Sequence, residues 1–297
     1  MRIWSRREWL WKSSMGVAAL SLTPGLLAQE PHVTVSPLNN LSDDDEIELG
    51  RRFAAQLEKE EPTVSNSLID RYLGSMVDEL AKASQRPNLP YSVKLVNSDV
   101  ANACSLPGGS LYVNRGLVEL IESEDELAAT LSHEIGHVVG RHVVNQLMLD
   151  FTARSLLEPV LDNLHKRNGV IEKIILELGG AVAMMAMLHF SREDEAEADL
   201  LGFYEMLRAG WDPHGFLDLF AHLDDIEKSS SGIEIPFLSD HPSTPARAAA
   251  IRRELTRVTL PSGAITDTVQ FQVFKAALRL LPEPPKESHE GDGQTHD

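Results

Sequence analysis

Ser123-Glu124-Asp125-Glu126-Leu127-Ala128-Ala129-Thr130-Leu131-Ser132-His133-Glu134-Ile135-Gly136-His137-Val138-Val139-Gly140 is the stretch that organises the rest of this chain. Ser123 followed by three acids has the composition of a helix start, a cap with negative charge at the positive end of the helix. Leu127, Leu131, Ile135 and Val138 or Val139 then recur at helical spacing. On such a helix His133 and His137 stand one turn apart on one face and can grip a single ion. Glu134 projects beside that ion, where it can take a proton from water. The flanks of the motif are uncharged on both sides, which argues against an amphipathic helix whose two histidines merely fill a core.

A second segment, Ser191-Arg192-Glu193-Asp194-Glu195-Ala196-Glu197-Ala198-Asp199, carries five acids in nine positions, ordinarily the composition of a solvated helix face. Glu195 and Asp199 nevertheless share a face at i and i+4. Small Ala196 and Ala198 permit close helix approach, and apolar Leu200-Leu201-Gly202-Phe203 calls for burial. Glu195 would complete three protein ligands with His133 and His137, with Glu197 the competing position. Three protein ligands and a fourth position left to water are the layout of a catalytic zinc, one Zn2+ per chain. Asp199 can accept the outer ring N–H of a ligand histidine and fix its tautomer. The chemistry in prospect is peptide-bond hydrolysis by a zinc-dependent endopeptidase.

These motifs resemble the gluzincin metallopeptidase family of the CAAX-prenyl endopeptidases, the HtpX heat-shock protease and the periplasmic protease BepA. Asn102-Ala103-Cys104-Ser105-Leu106-Pro107-Gly108-Gly109-Ser110-Leu111-Tyr112-Val113 resembles the family's NAFALPGG-type strand, with Cys104-Ser105 where Phe-Ala is commoner, and Asn114-Arg115-Gly116-Leu117 follows it. Ser191-Arg192 precedes the acidic ligand, and His241-Pro242 with Arg247 matches a third signature. The resemblance runs from about Ser42 to about Arg257 in the family's order. It implies an α+β, predominantly helical fold: a zincin-type metalloprotease domain whose small β-sheet has an edge strand bordering the active-site cleft. Leu111, Tyr112 and Val113 are the expected substrate-pairing edge strand, main-chain pairing of that kind giving loose sequence specificity. The resemblance also implies substrates among unfolded or misassembled envelope proteins; as a departure from BepA, no counterpart of its helical repeats is expected here, and composition reads as that of an exported single-domain protein.

The first 28 residues read as an export signal: a basic start, an apolar stretch from Met15 to Leu27, and small Ala28 near a plausible cut. Ser5-Arg6-Arg7-Glu8-Trp9-Leu10 favours twin-arginine over Sec export, with Trp9 where Phe is usual. The mature chain, expected to begin near Gln29, is then periplasmic. The sole cysteine, Cys104, has no intramolecular disulfide partner and falls in a strand expected to be buried. Removing residues 1–28 removes Arg2, Arg6, Arg7 and Lys12 against Glu8, a net of +3, and takes the formal charge from −18 to −21. So acidic a surface argues against nucleic acid and anionic membrane surfaces as partners.

Along the mature chain, 29–41 is a polar lead-in, 42–282 the metallopeptidase domain and 283–297 a polar tail expected to be disordered. Helices are expected over Asp43–Glu60, with Ser42 as cap, and over Ser67–Ser84; strands over Tyr91–Val96 and Leu111–Val113. Apolar Gly179–Phe190 reads as a buried helix or, less simply, a membrane-associated or substrate-facing surface; with Lys173 and Glu177 nearby it is too short to span a bilayer. No transmembrane span is expected in the mature chain. Thr244 and Pro245 open a helix over Ala246–Thr256. His241, just outside it, can serve as oxyanion donor or resting fourth zinc ligand, or have no role. Arg247 can contact substrate or pair with an acid such as Asp240. His142, His165, His189, His214 and His222 are read as structural. The rival functional class is a zinc-containing holdase, against which Glu134 argues, since a structural metal site needs no base.

Overall fold

The computed structural model describes residues 41–155, 190–229 and 235–284, together with Val33 and Asn39. The export signal, most of the lead-in, the apolar stretch 179–189, nearly all of the tail, and His165 and His189 lie outside the described residues. Among those described, the order is α1 (Asp43–Glu60), α2 (Ser67–Lys82), β1 (Ser92–Val96), β2 (Ala103–Leu106), β3 (Ser110–Asn114), α3 (Arg115–Leu120) and α4 (Glu124–Val139). It continues with α5 (His142–Ser155), α6 (Arg192–Ala209), α7 (Gly215–Ser229), α8 (Pro236–Asp240), α9 (Pro245–Leu255) and α10 (Val269–Leu278).

The helix starts follow from capping chemistry. Ser42 and Asp45 exchange reciprocal bonds in a capping box at α1, and Ser191 and Asp194 do the same at α6. Thr244 accepts from the Arg247 amide at α9, where Pro245 occupies the first turn. Ser123 departs from this pattern. It begins α4, but its hydroxyl donates to Asp125 and Glu126 rather than accepting from a helix amide.

The sheet has the order β1-β3-β2, β1 parallel to β3 and β2 antiparallel to it. Alternation sends Leu95, Leu111 and Val113 into the larger core, while Val96, Leu106 and Tyr112 enter a smaller one with Leu49, Phe53 and Leu57 of α1 and Val143, Val144 and Leu147 of α5. This corrects the expected edge strand. Leu111, Tyr112 and Val113 lie on the central strand, hydrogen-bonded on both sides and buried on both faces. The Pro107-Gly108-Gly109 turn, both glycines at positive φ, folds β2 back along one side of β3, and β1 takes the other. The edge strand that lines one cleft with Glu134 of α4 and Asp240 of α8 is therefore β2, which carries Cys104. Cys104 is accordingly only half-buried.

Helix α4 is buried along its whole length, beyond the single stripe that its apolar spacing predicts. It packs closely against α6 because small residues meet at the crossing. A Cβ on Gly136 would stand 2.5 Å from the Ala198 carbonyl oxygen, and one on Gly202 would stand 2.9 Å from the Ser132 carbonyl. The two helices that carry the metal-ligand motifs thus approach backbone to backbone.

Gly136→Ala is expected to force these helices apart. Overpacking of this kind costs about 1–3 kcal/mol, and each kcal/mol lowers the melting temperature of a domain this size by roughly 2–4 °C. Thermal unfolding checks it; a variant melting with wild type would show that the contact sets no limit on packing.

Candidate metal centre

Four side chains from three places converge beneath the β2 edge. His133 and His137 come from α4, Glu195 from the first turn of α6, and His241 from the end of α8. Among the described residues these four form the group whose donor atoms all lie within 4.8 Å of one another, and all four are buried. His133 Nε2 is 3.0 Å from His137 Nε2 and 3.2 Å from His241 Nδ1. Glu195 Oε1 is 2.9 Å from His241 Nδ1 and 3.4 Å from His137 Nε2. Four donors held about 2.0–2.1 Å from one centre would be separated by about 3.3 Å, so the cluster fits a tetrahedral ion.

Charge supports the same fit. Glu134, Glu195 and Asp199 are buried, and the cation buried with them is Arg247. Three carboxylates against one guanidinium leave an excess of negative charge to be balanced, and uncompensated buried charge is costly. A divalent cation supplies that balance. Burial pushes the His137 pKa well below its usual value, keeping the ring neutral with a lone pair to donate. For Glu195, burial acts to raise the pKa, but hydrogen bonds with His137 and His241 outweigh it and hold the carboxyl far below the usual range. His241 moves upward: burial opposes this, but its bond to Glu195 and the charge of Glu134 prevail. Carboxylates that draw a proton to this imidazole would also draw a metal cation.

Around the donors, the supporting contacts differ from residue to residue. Asp199 Oδ1 lies 3.0 Å from His133 Nδ1, one helical turn after Glu195 as the spacing predicts. Arg247 grips Asp199 with two bonds, Nε to Oδ2 at 2.6 Å and Nη2 to Oδ1 at 2.7 Å, and its Nη1 stands 2.8 Å from Glu195 Oε2. The same Nη1 donates to the carbonyls of His241 and Pro242, so Arg247 ties the His241 loop to α6. Of the two expectations for Arg247, the structure shows the pairing with an acid, but the acid is Asp199 and not Asp240: Arg247 is 4% exposed, and Asp240 instead accepts from Asn102 Nδ2 at 3.0 Å. Glu134 stands apart from the donor cluster. Its Oε1 is buried without a hydrogen-bond partner, 3.6 Å from His241 Nε2.

Glu197 points away from the donors, its Oε2 3.1 Å from His142 Nε2, so the structure brings Glu195 and not its competitor to the centre. His142, read from the sequence as structural, stands nearer the centre than that reading implied. Its Nδ1 lies 2.9 Å from His137 Nδ1, in direct contact with the donor set. The available signal was a histidine five positions after His137, beyond Gly140. His214 and His222 stay with Asp212 and Glu126, at 2.7 and 3.3 Å, away from the centre. A cleft above the donors is lined by Ala103, Cys104, Ser105, Glu134, Phe190, Asp240 and His241. Phe190 closes one side, its ring 4.2 Å from that of His137.

A histidine pair on one buried helix, a glutamate from a second, and a small sheet whose edge borders the cleft together define a gluzincin-type metallopeptidase domain. Residues 67–255 match the family model described as Peptidase family M48, and the chain belongs to that family. It is 28% identical over 217 residues to the beta-barrel assembly-enhancing protease of Yersinia pestis, an alignment covering 70% of this chain and 44% of that protein. The protein of the same name from Escherichia coli strain K12 is 28% identical over 243 residues, covering 77% and 47%. The mitochondrial metalloendopeptidase OMA1 of Schizosaccharomyces pombe is 28% identical over 184 residues, covering 62% and 52%. The chain spans about half the length of these curated relatives.

Glu195→Gln is expected to lower metal affinity markedly, because a neutral amide replaces an anionic donor. Glu197→Gln should leave metal content unchanged, since the amide oxygen can still accept from His142. Metal analysis of both variants after mild chelation decides the matter; the reverse ranking would move the ligand to Glu197.

Proposed function

We propose that this chain is a zinc-dependent endopeptidase acting on unfolded or misassembled proteins of the bacterial envelope. The observation that carries this reading is the convergence of three imidazoles and Glu195 beside a buried carboxylate, Glu134, with a free oxygen. His133, His137 and Glu195 would hold the metal, and Asp199 orients His133 through its Nδ1. When bound, zinc supplies Lewis acidity that polarises a scissile carbonyl and brings the pKa of water toward neutrality.

The protein's own part is positioning and proton transfer. Glu134 lines the cleft and lies outside the donor set, so it can take the proton of an attacking water and return it to the leaving amine. His241 rests with Nδ1 among the donor atoms, as a fourth ligand would, and its Nε2 faces Glu134. Withdrawn from that position, it becomes available to donate to the developing oxyanion. Extended substrate would pair with the β2 edge, Ala103–Leu106, in place of the inner strand carrying Leu111–Val113.

Placement in the envelope draws on the basic-then-apolar start of the chain and on relatives named as beta-barrel assembly-enhancing proteases. The proposed organisation is a twin-arginine export signal over 1–28, a lead-in over 29–41, the catalytic domain over 42–282 and a polar tail over 283–297. No helix among the described residues is long and apolar enough to cross a membrane.

Unfolded casein is expected to be cleaved by the purified protein and protected by a chelator; binding without cleavage would favour a holdase instead. Glu134→Gln should abolish hydrolysis while metal content stays near that of wild type, because the base is not a ligand. Wild-type turnover in that variant would sink the assigned mechanism.

His241→Ala separates the two roles of the loop histidine. Loss of an oxyanion donor should lower casein turnover on the order of 10²–10³-fold. Loss of a resting ligand should instead alter the visible spectrum of cobalt-substituted protein. A spectrum and a turnover both unchanged would leave His241 with neither role.

A further inference from the structure

The two histidines of α4 are supported in different ways. His133 rests on a buried carboxylate that Arg247 neutralises. His137 rests on a second imidazole, that of His142, which is itself 2% exposed. The backbone is shaped to put it there. After Gly140 the chain turns at Arg141, the one non-glycine residue with positive φ (58°) among those described. A non-glycine residue in this region is uncommon and costs energy that the surroundings must offset. Here Arg141 donates to Asp43 at 2.6 Å and to the Leu41 carbonyl at 3.2 Å, and pairs with Glu46 at 2.9 Å. The reversal folds the ring of His142 back over Gly140, where a Cβ would stand 2.2 Å from His142 Nε2. Only a residue without a side chain leaves that space.

The hydrogen-bond directions then follow from the donor chemistry. For His137 Nε2 to offer its lone pair to the centre, His137 Nδ1 must carry the ring proton. That N–H faces His142 Nδ1, which must therefore be the acceptor. The proton of His142 then sits on Nε2, where it donates to Glu197 Oε2 at 3.1 Å. The chain of bonds runs outward from the donor cluster to a half-buried carboxylate, with one tautomer allowed at each ring.

We propose that His142 is a positioning residue of the metal centre: seated by Gly140 and the left-handed Arg141, and fixed in its tautomer by Glu197, it holds His137 in the orientation and tautomer that binds the ion. This inference rests on the reading of His133, His137 and Glu195 as metal ligands. It assigns to Glu197, the losing competitor for the ligand position, a role one residue further out.

Zinc affinity measured by competition with a chromophoric chelator tests it, alongside the melting temperature of the metal-free protein. His142→Phe keeps the ring volume and removes the acceptor; it should weaken zinc binding by about 10–100-fold, the usual effect of losing such a partner. His142→Asn, whose Oδ1 can stand in for Nδ1, should recover most of the loss. Glu197→Ala should fall between. Gly140→Ala should weaken binding by displacing the ring, and add nothing further when His142 is already Phe. Buried Asn is smaller and more polar than Phe, so the metal-free protein should melt no higher for His142→Asn than for His142→Phe; tighter zinc binding by the Asn variant is then no folding effect. Wild-type affinity in His142→Phe, with Glu195→Gln losing zinc, would overturn the proposal and leave the ligand assignment standing. Equal losses in the Phe and Asn variants would overturn it too, reducing His142 to packing. If Glu195→Gln bound zinc as wild type does, the ligand assignment itself would fail, and this inference with it.

Discussion

Three carboxylates buried around a single guanidinium set the terms for this domain. Glu134, Glu195 and Asp199 would repel one another in a core of low polarity, and Arg247 answers only part of that charge. The remainder is tolerable where a divalent cation can enter, which makes the arrangement a site and not merely a core. Holding it requires that α4 and α6 approach closely enough for one ion to touch both. Gly136 against Ala198, and Gly202 against Ser132, supply that proximity. The sheet, α2 and α7 then serve to bury a helix that has no exposed side left.

Arg247 connects this charge balance to His241. By bonding Asp199 and the carbonyls of His241 and Pro242 together, it ties the loop histidine to the helix that bears Glu195. Its guanidinium also lies 4.9 Å over the Phe220 ring, so both its charge and its plane are engaged. A lysine could not make this set of contacts, because it lacks the planar fork of donors. The residue acts on the centre from behind.

The sheet contributes through its edge. Because β3 is filled on both sides and both faces, backbone groups free to meet a substrate beside the cleft belong to β2. Glu134, His241 and β2 therefore face one space, which Phe190 bounds from the end of a different segment.

Much of the site was legible in the residues because it depends on helical periodicity. The i, i+4 relation of His133 to His137 and of Glu195 to Asp199 is set by 3.6 residues per turn, and capping residues mark where α1, α6 and α9 begin. The position of Glu134 outside the donors follows from the same geometry. Tertiary structure alone decided the contacts between segments. Strand order put β3 inside the sheet, since nothing local to Leu111–Val113 states which neighbours will pair with it. The partner of Arg247 was chosen by where α9 packs, which brought Asp199 and not Asp240 to its guanidinium. His142 met His137 because a left-handed residue reversed the chain, a conformation that an arginine codon does not announce. Periodic contacts are written into spacing along one helix; contacts across the fold depend on packing that every other segment helps to fix.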